Sequence, residues 1–223
     1  MTDDQAIRDA LWAAAAPFST APAPPHVALV YAPLFRALAP EADPDPYVLA
    51  IELVYEGYLA HYRVSRLLGA DTTLQTRLLA GDHLDASGLR LVADAGDLDS
   101  IALLTRLMAT CSWLRAEDCP FAYDDDLWAL CVAGMASSAS GGSGLTALRV
   151  FDEVGALLGR GRAERLPQVV RRAAASLSLR RPQPLRAALG MEHEVETDAQ
   201  RPGPDDAGTA GAALTATACE EPA

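Results

Sequence analysis

Apolar residues recur along most of the chain at spacings of three and four, the repeat of a helix with one buried face. A first short, Ala-rich helix is predicted over 5–16, with Asp3 or Asp4 as its cap. Four prolines in 17–25 make that stretch a connector, and 26–38 reads as a second helix despite Pro33, which kinks it or sits near its start. An acidic, Pro-rich loop at 40–46 leads into a long helix from Asp45 or Pro46 to about Leu68. Leu49, Leu53, Glu56, Ala60 and Val64 fall roughly along one stripe of it.

After a turn at 69–71, Asp71 or Thr72 caps a helix over 73–93. Gly81 and Gly88 lie inside it, each costing about 1 kcal/mol relative to Ala, and their shared face predicts close approach to a neighbouring helix. Gly96 ends that segment, and Asp97 caps the next helix, which runs to about Ala116. A loop at 119–123 precedes the run Asp124, Asp125 and Asp126, read as a capping cluster for a helix over 127–138. The Gly/Ser break at 140–144, a helix at Leu145–Leu158 and a last helix over 163–179 complete the series. Seven or eight helices and no convincing strand make the fold class all-α, a helical bundle. Residues 1–190 are expected to form one domain, and 191–223 an acidic, disordered tail.

Composition narrows the chemistry. All 18 basic residues are arginine, so a Walker loop, a Schiff-base lysine and a pyridoxal phosphate site are excluded. The net charge is −12. It divides into 21 acids against 9 arginines over 1–159, 8 arginines against Glu164 over 160–190, and 8 acids against Arg201 over 191–223. That balance argues against nucleic acid as a partner, and the middle block reads as a solvated or partner-facing helix that the acidic tail could neutralise. The four cysteines have no metal-ligand spacing; Cys111 and Cys131 sit in apolar patterns and read as small buried residues. With no 18-residue apolar run and no basic-then-apolar leader, neither a transmembrane segment nor export is predicted, and a reducing cytoplasm fits.

The distinctive region is 51–91. Glu52, Leu53, Leu59 and His61 on the long helix, followed by Leu78, Leu79, Ala80, Gly81 and Asp82 on the next, resemble the trans-prenyl diphosphate synthases. In that family a helix of the form E-L-I-H-x-x-x-L-I-H-D-D-x-x-D precedes one carrying L-L-A-G-D-x-L. The resemblance spans roughly 26–160 and implies a shortened isoprenoid-synthase bundle. The metal-binding aspartates are replaced: Tyr62, Arg63, Val64, Ser65 and Arg66 stand where D-D-x-x-D belongs, and two guanidinium groups cannot hold Mg²⁺. The second aspartate motif is missing too, since Gly159, Arg160, Gly161 and Arg162 stand where its carboxylates should begin. The early G-K-R motif is absent from 24–31.

The resemblance therefore implies a non-catalytic member, without metal or cofactor, serving as the small or regulatory subunit of a catalytic polyprenyl diphosphate synthase or associating with itself. Two alternatives stay open: a helical scaffold unrelated to isoprenoids, and an altered enzyme whose Arg63 and Arg66 hold a prenyl diphosphate in place of Mg²⁺. The degenerate motif (His61, Tyr62, Arg63, Arg66) is the first candidate site. Asp82 and Asp85 share a helix face and could meet Glu52, Glu56 or His61 in a central cavity, with Arg63, Arg66 or Arg77 supplying a compensating charge.

Overall fold

The centre of the bundle is a helix that is buried on every side. In a computed structural model, which describes residues 3–42 and 45–177, α3 (Asp45–Tyr62) is buried at every position from Ala50 to Ala60. A mostly apolar helix with no solvated face belongs in the middle of a bundle. The other helices wrap it: α1 (Asp3–Ala15), α2 (Ala32–Leu38), α4 (Leu74–Asp94), α5 (Leu98–Ala116), α6 (Ala122–Ala139), α7 (Leu145–Leu158) and α8 (Leu166–Leu177). Short 3-10 turns follow α1 at Ala16–Phe18 and precede α8 at Ala163–Arg165, and no strand occurs among the described residues. None of the described helices is long and apolar enough to cross a membrane. The expected acidic tail, 191–223, lies outside the described residues, as does the arginine block beyond 177.

The closest packing joins α3 to α4, and glycine makes it possible. A Cβ on Gly88 would come within 2.6 Å of Val54 Cγ2 and 2.7 Å of the Ala50 carbonyl oxygen. One on Gly81 would overlap the His61 ring, and one on Gly57 would overlap the Asp85 carboxylate. The approach expected from Gly81 and Gly88 is thus present, with Gly57 as its unforeseen third member. The apolar core continues through Leu103, Leu104 and Leu107 of α5, Leu127 and Trp128 of α6, and Phe151 and Val154 of α7. Leu166, Val169, Val170 and Ala173 close α8 onto this core, and Cys111 and Cys131 are buried in it. Arg172, on the outer side of α8, pairs with Glu153 of α7.

The start of α4 differs locally from the sequence expectation, its cap being Thr73, which accepts from the Thr76 N–H, rather than Asp71 or Thr72. Three further boundaries differ through tertiary polar contacts. α3 stops at Tyr62 rather than Leu68, leaving Val64 86% exposed instead of on a buried stripe. Arg77 of α4 donates to the carbonyls of Ala60 and Arg63, satisfying the end of α3, while the next residues turn back toward Glu56. Residues 26–31 are not helical; α2 begins at Ala32 with Pro33 in its first turn. The exposed N–H groups at that start are met by Glu52 from α3, a cap supplied from another element. Finally, α6 starts at Ala122, so Asp124 and Asp125 lie within its first turn. The cap at α5 is as expected, with Asp97 accepting from the Ser100 N–H.

Candidate functional site

The polar residues singled out in the sequence separate into three groups. The first is a closed cluster between α3, α2 and the chain after α3. Glu52 and Glu56 are fully buried, one turn apart. Glu52 Oε1 accepts from the N–H groups of Tyr31 and Ala32 at 2.8 and 3.1 Å, and its Oε2 lies 2.9 Å from Arg66 Nη1. Glu56 accepts from the Ser65 hydroxyl, the Arg66 N–H and, at 2.7 Å, Arg66 Nε. Arg66 also donates to the Ala28 carbonyl and lies 5.1 Å over the Tyr55 ring. Burial works against its charge, but Glu56 and Glu52 outweigh it and hold the guanidinium above its usual pKa. Charged groups can be buried at such a place because each finds several partners.

The second group faces α6. Tyr58 donates to Asp124 Oδ2 at 2.5 Å, and Arg115 Nε lies 3.1 Å from the same oxygen. Asp124 is fully buried, which corrects the capping-cluster reading for this residue: it is the acceptor of a buried network, and the N-cap position, Phe121, has no side-chain cap. Burial raises its pKa, against the Tyr58 hydrogen bond and the Arg115 charge. Phe121 lies beneath two guanidinium groups, Arg115 at 3.9 Å and Arg63 at 4.5 Å. Arg63 further pairs with Asp125 at 3.3 Å.

The third group lines a cavity of about 240 Å³ between α3, α4, α5 and α6. His61 Nε2 stands 3.4 Å from Asp82 Oδ1 and 3.7 Å from Asp85 Oδ2. Asp82 is open to solvent, whereas the side chain of Asp85 is 13% exposed and its Oδ1 has no hydrogen-bond partner. Burial, and then the charge of Asp82, push the Asp85 carboxyl up to about 8. Burial lowers the pKa of His61, with Asp82 opposing and Arg77 adding to the effect. At neutral pH the pair is therefore a neutral imidazole beside a largely protonated acid, able to exchange a proton or to accept a cation. Tyr58, Tyr62 and Trp128 form the aromatic walls, and the Tyr62 hydroxyl is 2.8 Å from Ser112 Oγ.

The sequence grouping is thus divided. Asp82 and Asp85 meet His61, as one of the anticipated pairings had it, but Glu52 and Glu56 face away from the cavity and are consumed by Arg66. Arg63, Arg66 and Arg77 do not supply the compensating charge to Asp82 and Asp85; each is engaged elsewhere. Of the degenerate motif, His61 and Tyr62 line the cavity. Arg66 points into the protein, and Arg63 lies against Phe121. Sequence reasoning missed Tyr58, Ser112 and Trp128. Tyr58 was reachable, being one turn before His61 on the same helix face; Ser112 and Trp128 come from distant helices and carry no local signal.

Among the described residues no group of three His, Cys, Asp or Glu side chains is arranged to hold a metal ion. Comparison with known protein families, with characterised proteins and with solved structures gave no match.

Proposed function

We propose that the chain is a non-catalytic relative of the trans-prenyl diphosphate synthases, acting as the small or regulatory subunit of a catalytic polyprenyl diphosphate synthase. The observation that carries this reading is the pairing of the two motif-bearing helices. The E-L…L-x-H segment on α3 and the L-L-A-G-D segment on α4 pack directly together, with Gly81 against His61 and Gly57 against Asp85. Two resembling motifs that also meet in space support the family reading more than either does alone.

The loss of catalysis is supported by what replaces the first aspartate motif. Arg66 is bound to Glu52 and Glu56, and Arg63 to Asp125, so neither position offers a carboxylate to a divalent cation. The same contacts weigh against the alternative in which these arginines grip a diphosphate, because the anion would have to displace carboxylates already in place. A role without chemistry fits a bundle that lends a helix face to a partner. Apolar side chains on the outside of α4, Leu74, Leu78 and Leu79, are 60%, 42% and 63% exposed and are available for such a contact.

The test is affinity purification of the tagged chain from its native cell extract, with the co-purified material assayed for prenyl chain elongation. Recovery of a synthase whose product length or rate changes when this chain is removed is the expected result. Recovery of no synthase, with the purified chain inert toward prenyl diphosphates, overturns the reading in favour of a helical scaffold.

A further inference from the structure

The seam between α3 and α4 has two unlike halves. At Gly88 it is apolar: the glycine lies against Val54 Cγ2 and the Ala50 carbonyl, and Val92 is buried one turn further on. At Gly57 and Gly81 it is polar. The Asp85 carboxyl is pressed on Gly57, the His61 ring on Gly81, and His61 Nε2 stands 3.7 Å from Asp85 Oδ2. Asp85 Oδ1 has no hydrogen-bond partner, and the side chain is 13% exposed. A buried carboxyl keeps its charge only beside a cation or several donors. No arginine serves it: Arg63 pairs with Asp125, Arg66 with Glu52 and Glu56, and Arg77 with the carbonyls of Ala60 and Arg63. This half of the seam is closed over a proton.

Losing that proton places an uncompensated charge in the closest contact of the bundle. The carboxyl already fills the space that the missing Cβ of Gly57 leaves, so the strain cannot be relieved in place. Separating the helices at that end lets water reach the carboxylate. The contacts at Gly88 involve no ionisable group and hold at any pH. Arg77 grips the carbonyls at the end of α3 and must let go in the same movement. Opening is therefore a local fluctuation whose frequency the proton sets.

We propose that α4 is held to α3 by a proton latch: the seam is closed along its length while Asp85 and His61 hold one proton between them, and without it residues 74–85 swing away from α3 about the fixed contact at Gly88. The latch stands apart from the synthase reading and needs no partner or ligand. Burial, and then the charge of Asp82, push the closed Asp85 carboxyl up to about 8, while burial lowers His61. Once opened, the two return toward their ordinary 3.8 and 6.5. The closed pair thus keeps one proton up to about pH 8, the open pair only up to about pH 6.5. Opening releases no proton below that window and one within it, so it becomes about twentyfold more frequent between about pH 6 and 9. The other groups facing the latch do not titrate with it. On α3, Tyr58 is raised by burial and bonded to Asp124 of α6, and the Tyr62 hydroxyl meets Ser112 of α5. On α5, burial holds Cys111 as the thiol. On α4, Asp82 is open to solvent, Arg77 stays charged, and His83 lies outside against Phe18. From α1 come only the apolar Leu11 and Ala15, clustered with Leu84.

Hydrogen-exchange mass spectrometry on the full chain between about pH 5 and 9 tests this, with rates corrected for the intrinsic effect of pH. Peptides within 74–85 are expected to be less protected than α7 throughout. Their protection should be level up to about pH 6.5 and fall about twentyfold by about pH 9. Asp85→Asn, nearly the same shape without the titration, should lose that fall. His61→Gln keeps the carboxyl but removes the imidazole that takes up the proton on opening. It should extend the fall downward, adding about tenfold between about pH 5 and 6, where the wild type is level. A level profile over 74–85, or protection equal to that of α7 at every pH, overturns the latch. So does a fall that survives Asp85→Asn or that His61→Gln leaves unmoved.

Discussion

The two acidic clusters, Glu52 and Glu56 on α3 and Asp82 and Asp85 on α4, contain similar groups and have opposite characters. At Glu52 and Glu56 each carboxylate has several donors, and an arginine bridges the two. At Asp82 and Asp85, one turn further along the bundle, the same kind of acid faces an uncharged imidazole and keeps an oxygen without a partner. The first is a closed staple that fixes the start of α2 and the return of the chain after α3. The second is left open on a cavity. What separates them is where the arginine falls: Arg66 is drawn to one cluster, and no arginine reaches the other. A buried carboxylate that is fully paired keeps its charge and belongs to the fold, whereas a buried acid with no cation beside it holds its proton instead.

Removing the bridge is expected to have the largest effect. Arg66→Met leaves two fully buried carboxylates without their cation and should lower unfolding free energy by about 3–5 kcal/mol in urea titration, or prevent folding. A loss under about 1 kcal/mol would mean that water reaches Glu52 and Glu56 and that the contrast between the clusters is illusory.

Forcing the α3–α4 seam apart comes next. Gly88→Ala gains helix propensity, but its Cβ presses on Val54 and on the Ala50 carbonyl, which belongs to backbone and cannot move aside. A net loss of about 1–3 kcal/mol is expected from the same denaturation measurement.

The sign reverses at the open cluster. The folded-state pKa of Asp85, about 8, lies above its ordinary 3.8, so the folded protein holds a proton that the unfolded chain gives up. This group therefore favours folding fully below about pH 4, and its contribution is lost as pH rises to about 8. Asp85→Asn should lack that decline and be more stable than the wild type at pH 8 by about 1–2 kcal/mol, seen as thermal unfolding profiles that diverge with pH. Parallel profiles would show that Asp85 is solvated in the folded state.

The smallest change separates the two arginines of the degenerate motif. Arg63 pairs with Asp125, a half-exposed partner, so Arg63→Ala should cost about 1 kcal/mol or less, part of it lost packing on Phe121. An effect as large as that of Arg66→Met would place Arg63 inside the staple as well.

How much of this was legible beforehand depended on range. The start of α5, where Asp97 accepts from the Ser100 N–H, was read correctly because donor and acceptor are three residues apart, while the equally local cap of α4 was placed one or two residues early, at Asp71 or Thr72 instead of Thr73. The turn after α3 was not, since its stop is written partly in Arg77, fourteen residues beyond the Arg63 carbonyl it satisfies. Asp124 read as part of a capping cluster for the same reason. Its partners, Tyr58 and Arg115, belong to other helices, and the pattern of three aspartates gave no hint of them. The cavity was half visible: the spacing of Asp82 and Asp85 put them on one face, and His61 was in view, but the aromatic and α5 walls were not.

The helical class, the order of the helices and the close α3–α4 contact are already written in the amino-acid pattern. These follow from periodicity, from capping residues and from glycines whose missing Cβ atoms act locally. Tertiary structure decided which acids are paired and which are not. Charge pairing depends on distances below 4 Å between residues far apart in the chain, and a guanidinium on a turn can reach either of two clusters. Only the packed bundle chose Glu52 and Glu56 for Arg66 and left Asp85 to the cavity.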